Sequence, residues 1–160
     1  MKIGIISDTH GLLRARVLEL FDGVEHILHA GDVGDPDILT ALEAVAPVTA
    51  VWGNVDGWDV RNRVSEVAEI ERAGVKIVVV HGMQLGSPTP ERVAAAYPHA
   101  GLAVFGHSHK PIIKQVGSTL AVNPGSAGHQ RFRDPVSCAI AEIDGGRVTA
   151  RLIDLDPARK

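Results

Sequence analysis

The sequence predicts a layered α/β fold in which two sheets pack face to face with helices outside. Three observations lead there: an opening β-α-β-α-β alternation, a switch near Glu66 to hairpin patterns, and many short apolar runs afterwards with few helical ones among them. Ile3-Gly4-Ile5-Ile6 reads as a buried strand. Leu13, Val17, Leu20 and Phe21 then recur at helical spacing before Gly23, where a helix-ending glycine commonly falls. Ile27-Leu28-His29-Ala30 is the second strand. Asp35 caps a helix that begins at Pro36, turns Ile38, Leu42 and Val45 inward, and stops at Pro47. Val48 to Trp52 supplies the third strand, and such a series implies parallel pairing with right-handed crossovers.

Beyond Glu66, Val67 to Ile70 alternates, Ala73-Gly74 turns, and Val75 to Val80 returns as the partner strand of a hairpin. Thr89 and Pro90 open a helix covering roughly Glu91 to Tyr97, which Pro98 ends. Leu102 to Phe105, Ile112 to Val116, Leu120 to Val122, Val136 to Ile143 and Val148 to Ile153 read as strands, the last two joined through Asp144-Gly145-Gly146. With no repeat, low-complexity segment or linker, the 160 residues (1-160) are expected to form one domain around one core.

Composition excludes several function classes. A formal net charge of -3 with both signs scattered offers no basic face to a long nucleic acid and no cationic amphipathic helix to a membrane. Met1 to Ile6 meets Asp8 too early for a signal-peptide apolar region, and no apolar run approaches membrane-spanning length. The lone Cys138 lies in an apolar strand and reads as a small buried hydrophobe, so a reducing compartment, the cytoplasm, is expected.

The chemistry is concentrated where apolar runs give way to glycine: Asp8-Thr9-His10, Gly31-Asp32, Gly53-Asn54, His81-Gly82 and Gly106-His107-Ser108-His109. Ligands of open α/β folds bind just beyond such strand ends. Any one of these pairs alone is ordinary turn chemistry; five in order read as a two-metal hydrolytic site. If the backbone is extended, residues i and i+2 point the same way, so Asp8 with His10, and His107 with His109, would each grip one ion. Asp32 can bridge two ions, Asn54 offers an amide oxygen and His81 a ring nitrogen. Nitrogen and oxygen donors without sulfur favour Mn²⁺, Fe²⁺, Zn²⁺, Co²⁺ or Ni²⁺, and several imidazoles argue against Ca²⁺ or Mg²⁺. Two divalent ions against the carboxylates of Asp8 and Asp32 leave a formal surplus of about +2, which suits a bridging hydroxide attacking phosphorus. No nucleophile elbow, P-loop or reactive-cysteine signature competes.

With these motifs in hand, the chain resembles the calcineurin-like metallophosphoesterase superfamily, and most closely its small single-domain phosphodiesterase branch in bacteria and archaea. All five blocks of that family's pattern occur in order over nearly the whole chain. The resemblance implies a four-layer α/β/β/α sandwich of two mixed β-sheets, the metallo-dependent phosphatase-like fold. It assigns Asp8, His10 and His109 to one metal, Asn54, His81 and His107 to the other, and Asp32 to both, with Asn54 and His107 also among the catalytic residues. Mn²⁺ is the foremost cofactor, with Fe, Zn, Ni or Co as substitutes. The implied activity is hydrolysis of small phosphodiesters, nucleotides among them, by a metal-bridging hydroxide, and the branch implies self-association into a homo-oligomer. Phosphomonoester hydrolysis is the alternative reaction. A non-catalytic protein-binding scaffold like the retromer-coat subunit is the alternative class, and it is disfavoured by retention of His10, His81, His107 and His109.

Departures from the family pattern qualify the reading. Many phosphatases of the superfamily have a histidine after the Gly-Asn asparagine to protonate the leaving oxygen, whereas this chain has Val55. Loss of such an acid costs roughly 10²–10⁴-fold, so easily departing leaving groups are expected, with Asp56 and His129 as substitute acids. Met83 stands where branch members often have a second histidine. His129 and Arg131, with Arg133, are weaker substrate-binding candidates on the polar loop after Asn123-Pro124-Gly125-Ser126. His29 reads as a hydrogen-bonded support behind the ligands, His26 and His99 as solvated element ends, and Trp52 as core.

Overall fold

The computed structural model describes residues 1–158. Ten strands form two five-stranded mixed sheets. The first runs β10-β9-β1-β2-β3, with β1 (Lys2–Ile6), β2 (His26–His29) and β3 (Val48–Ala50) parallel and the hairpin β9 (Ser137–Asp144)–β10 (Arg147–Asp154) antiparallel to β1. The second runs β4-β5-β6-β8-β7, with β5 (Val75–Val80), β6 (Leu102–Val104) and β8 (Thr119–Asn123) parallel, and β4 (Val67–Arg72) and β7 (Ile112–Val116) antiparallel at its edges. Each sheet thus has three adjacent parallel strands, at one side of the first sheet and in the middle of the second, and all six end toward the same rim.

Alternating side chains explain the layers. Ile3 and Ile5 of β1 meet Val75, Ile77, Val79, Leu102 and Val104 between the sheets. The opposite face of the first sheet, with Ile6, Ile27 and Ile140, is covered by Val17 and Phe21 at α1 (Ala15–Leu20) and by Ile38, Leu39 and Leu42 of α2 (Pro36–Glu43). The outer face of the second sheet, with Val78, Val80 and Ala103, is covered by Val93 of α4 (Pro90–Ala96) and Tyr97. The order is therefore α/β/β/α. Among the described residues no helix is long and apolar enough to cross a membrane.

The capping residues act as the sequence implies. Asp35 accepts from the Asp37 N–H at 2.9 Å, and Thr89 Oγ1 from the Arg92 N–H at 3.2 Å, each satisfying an orphan donor of a first helical turn that opens on proline. Ala73-Gly74 and Gly145-Gly146 turn their hairpins with left-handed φ at both residues of each pair, which matches the twist of the flanking strands. Three elements escape the sequence reading: the four-residue helix α3 (Trp58–Arg61), the 3₁₀ turn Met83–Leu85, and the β7–β8 hairpin through Gly117. Only Val60 is buried in α3 and no residue in the 3₁₀ turn, so neither carries an apolar period. His26 is not a solvated end: it is the buried first residue of β2, its Nε2 2.8 Å from Thr49 Oγ1.

Gly4 marks the tightest contact beneath the first sheet. A Cβ there would lie 2.9 Å from the ring of Phe21, which is wholly buried. Gly4→Val is expected to lower stability by about 1–3 kcal/mol in urea unfolding, as overpacking commonly does; an unchanged midpoint would contradict the packing described.

Candidate metal centre

The centre sits where the six parallel strands end. β1 leads to Asp8 and His10, β2 to Asp32, β3 to Asn54, β5 to His81, and β6 to His107 and His109. Five of these seven residues have left-handed backbone: φ is 54° at Asp8, 46° at His10, 51° at Asp32, 71° at His107 and 60° at His109. Non-glycine residues visit this region rarely, at roughly 1–3 kcal/mol each when strained, and such residues gather at functional sites. Cross-strand hydrogen bonds hold the turns: Asp8 N–H to Gly31 O at 3.0 Å, His10 N–H to Asp32 O at 2.9 Å, and Gly106 N–H to His81 O at 3.0 Å.

This geometry corrects the extended-backbone pairing. Asp8 and His10 do converge, but through two left-handed residues, and His107 and His109 diverge to different groups. His109 Nε2 lies 3.2 Å from Asp8 Oδ1 and 3.4 Å from His10 Nε2. His107 Nδ1 lies 3.3 Å from His81 Nε2 and 3.1 Å from Asn54 Oδ1, which is itself 3.1 Å from His81 Nε2. Asp32 Oδ2 stands between the groups, 3.7 Å from His10 Nε2 and 3.1 Å from His81 Nε2. Two clusters therefore face one carboxylate oxygen.

The donor set fits divalent cations. Asp8 Oδ1 is buried with no hydrogen-bond partner, although His109, His10 and His81 nitrogens surround it at 3.2, 3.8 and 3.9 Å. Such an orphaned oxygen, opposed to ring nitrogens, calls for a shared cation. Supporting contacts aim the ligands. Ser7 Oγ–H donates to Asp8 Oδ2 at 2.7 Å and Val55 N–H to Asp32 Oδ1 at 2.9 Å, which leaves the other oxygen of each carboxylate for the centre. His81 Nδ1–H donates to Ala30 O at 2.7 Å, fixing the tautomer whose Nε2 lone pair faces inward. Groups of three that could hold an ion are Asp8-His10-His109 and Asp8-Asp32-His81.

The electrostatics run the same way. Burial drives the Asp8 carboxyl upward, but His10 and His109, with the field of His81, outweigh it and hold the group far below the usual carboxylate range. Burial likewise opposes ionisation of Asp32, yet His81 and the Val55 N–H lower it. At His81 burial disfavours charge, while Asp32 and Asp8 raise its affinity for a proton. His107 is lowered, by burial first and then by His81. The two carboxylates are thus held ionised beside His81, while His107 is turned against taking up a proton.

Two of the motif glycines leave no room for a side chain. A Cβ on Gly53 would fall 2.2 Å from Asp32 Oδ1, and one on Gly106 would fall 2.1 Å from Ser7 Oγ. Asp56 is not a spare acid: its two oxygens accept from Val33 N–H at 3.1 Å, Gly34 N–H at 2.9 Å and Gly53 N–H at 2.9 Å, locking the Asp32 and Asn54 turns together. Asn123 Nδ2 donates to Gly106 O at 3.1 Å and Ser108 Oγ at 3.0 Å, and Ser126 Oγ–H donates to Asp8 O at 3.0 Å. These supports carry no signal in the sequence beyond their place beside motif residues. His29, wholly buried, accepts from Gly31 N–H at Nδ1 and meets Thr9 Oγ1 at Nε2, the supporting role expected of it.

His129 and Arg131 are exposed and belong to neither three-residue group that could hold an ion. Their loop is nevertheless anchored beside the cluster, since Arg14 donates to Gly128 O at 3.0 and 3.2 Å and Gly128 packs on the Thr9 carbonyl. Trp52 packs against the core under the first sheet with the Arg61 guanidinium 4.1 Å above its ring. Cys138 is buried and its thiol is pushed up to about 12 by burial, which excludes it as a nucleophile.

The family model of the calcineurin-like phosphoesterase superfamily domain matches residues 1–146. The chain belongs to the calcineurin-like phosphoesterase superfamily. This phosphoesterase-family chain is 38% identical to a probable metallophosphoesterase of Methanothermobacter thermautotrophicus, over 96% of the chain and 92% of that protein. It is 30% identical to a phosphodiesterase of Escherichia coli, over 90% of the chain and 89% of that protein. Its fold matches Vps29 of Entamoeba histolytica, solved with zinc, at a TM-score of 0.76 and 23% identity, covering 96% of the chain and 99% of that structure.

Two outcomes are expected from these supports. Asp56→Ala strands three backbone donors and should cost about 3 kcal/mol or more in urea unfolding. Burial lowers His29 to about 4 from its ordinary 6.5. Between these values the unfolded chain binds a proton that the folded chain refuses, so stability falls as pH drops through that window, by on the order of 3 kcal/mol from this group. His81, raised, contributes with the opposite sign. The readout is therefore the difference in urea stability between wild type and His29→Gln at pH 7 and pH 4.5, and the variant should lose less on acidification.

Proposed function

We propose that the protein is a dinuclear-metal-dependent phosphodiesterase that cleaves small phosphodiesters, nucleotides among them. The observation that carries this reading is Asp32 Oδ2, a single carboxylate oxygen facing both the Asp8–His10–His109 cluster and the Asn54–His81–His107 cluster. Mn²⁺ is the foremost metal, with Fe, Zn, Ni or Co as substitutes. Bound there, two such ions would act as Lewis acids on the phosphoryl oxygens and make a water nucleophilic near neutral pH.

The chain's own residues do the rest. Ser7, Val55 N–H and the Ala30 carbonyl keep Asp8, Asp32 and His81 in the orientation that binding needs, so little reorganisation accompanies substrate entry. His10 and His107 are only partly buried and line the open side, where the ester approaches. The position after Asn54 is Val55, 64% exposed, and the Asp56 carboxylate is fully engaged with backbone. Neither of the two residues after the asparagine thus offers a free acid to protonate a leaving oxygen, which favours esters whose leaving group departs as an anion. The phosphodiesterase name of the Escherichia coli relative supports the same substrate class. The intact set of His10, His81, His107 and His109 argues against a purely scaffolding role.

The test is hydrolysis of bis(p-nitrophenyl) phosphate by metal-stripped protein reconstituted with Mn²⁺, beside p-nitrophenyl phosphate. Diester turnover should exceed monoester turnover, disappear with chelation, and fall more than about 100-fold in Asp32→Ala, because supporting residues alone commonly account for 10–100-fold. A reversed ratio identifies a phosphomonoesterase. Two bound metals without turnover of either ester would instead favour a binding role.

A further inference from the structure

Beside the metal centre lies a cavity of about 620 Å³, between the Gly86–Pro90 turn and the segment from His107 to Ile112. Its volume is within the range of roughly 300–1,000 Å³ typical of small-molecule sites. Buried Pro88, Pro90 and Phe105 form its inner wall, and Pro111 and Ile112 its outer one, with Ile112 38% exposed. Lys110 is exposed on its lining, and its ammonium has no ion-pair partner among the described residues. His107 belongs both to this lining and to the metal cluster, so the cavity borders the centre. A second hollow of about 450 Å³ near α2 and β3 lacks this combination, since its Arg63 is already bound to Pro36, Thr40 and Glu43.

We propose that this cavity seats one ester substituent of the substrate, a flat aromatic ring of aryl or nucleobase size, with Lys110 balancing the negative charge of the phosphate attached to it. The inference rests on the phosphodiesterase reading and deepens it by naming the organic half of the substrate. Rigid proline and phenylalanine surfaces suit a ring, whose burial gives affinity without rotamer loss in the walls. The unpaired cation beside them suits a group joined to an anion. An inorganic or methyl ester would reach the metals and leave the walls wet. His129 and Arg131 are not among the residues that line this pocket.

The experiment compares phenylphosphonate with methylphosphonate, which share a head group, resist hydrolysis and differ in the ring alone. Binding to the Mn²⁺-reconstituted protein is measured by calorimetry. Phenylphosphonate is expected to bind about tenfold more tightly. Ser87→Trp places bulk at the mouth from an exposed position whose backbone carbonyl, not its hydroxyl, accepts from Arg92. This variant should bring the ratio close to one and leave methylphosphonate affinity within about twofold, while Lys110→Gln weakens both ligands by a similar factor. Equal affinities in wild type, or a ratio that survives Ser87→Trp, overturn the pocket assignment even if bis(p-nitrophenyl) phosphate is cleaved as above. If neither phosphonate binds while bis(p-nitrophenyl) phosphate is still cleaved, the pocket assignment falls and the phosphodiesterase reading stands; if cleavage is absent as well, both fall.

Discussion

Two buried carboxylates and four imidazoles must hold their electron pairs toward one another, and the rest of the molecule is organised to permit it. Left to itself, such a group would turn its dipoles away or take up water. Here Asp8, Asp32 and His81 each have one polar atom tied to a neighbour, so the remaining atom has nowhere to point but inward. The turns that carry them are strained, and the offset comes from hydrogen bonds between strand ends and from wholly buried neighbours such as Ile5, Ile6 and Leu28.

The sheets supply what loops alone cannot. Three parallel strands per sheet bring six chain segments to one rim at fixed separation, and the apolar layer between the sheets prevents the rims from sliding apart. Asp56 and Asn123 extend that rigidity into the loops. Asp56 binds the turn after β2 to the turn after β3, and Asn123 braces the turn after β6 from the end of β8. Neither faces the centre, yet each fixes the spacing of residues that do.

Most of this architecture was legible in the sequence because its signals are local. An apolar run, a glycine and a polar ligand fall within a few residues of one another, as in Ile3 to Asp8 or Leu102 to His107. Caps at Asp35 and Thr89 are equally local and hold in the structure. What escaped depends on partners distant in the chain or on backbone hand. The separation of His107 from His109 follows from left-handed φ at both, which alternation along an extended strand cannot anticipate. Asp56 read as a spare acid until its three amide donors, from Val33, Gly34 and Gly53, were visible. His26 read as solvated because its partner Thr49 lies on the neighbouring strand. The cavity by His107 needed the Gly86–Pro90 turn to be placed against Ile112, segments with no shared pattern.

The position of β1 has a consequence for how the molecule is made. This first strand is the middle one of its sheet, paired on one side with β2 and on the other with β9, so Lys2 lies opposite Glu142 and Ile5 opposite Ala139. The candidate centre echoes that reach, with His10 meeting His109 across 99 positions and Ser126 bracing the Asp8 carbonyl across 118. During synthesis the opening segment leaves the ribosome long before its second neighbour exists, and its apolar edge waits unpaired or shielded by other factors. Closing contacts between such distant positions is slow relative to forming the local hairpins β4–β5 and β9–β10. A growing chain therefore lacks the full set of strands behind its candidate ligands until β9 has been made.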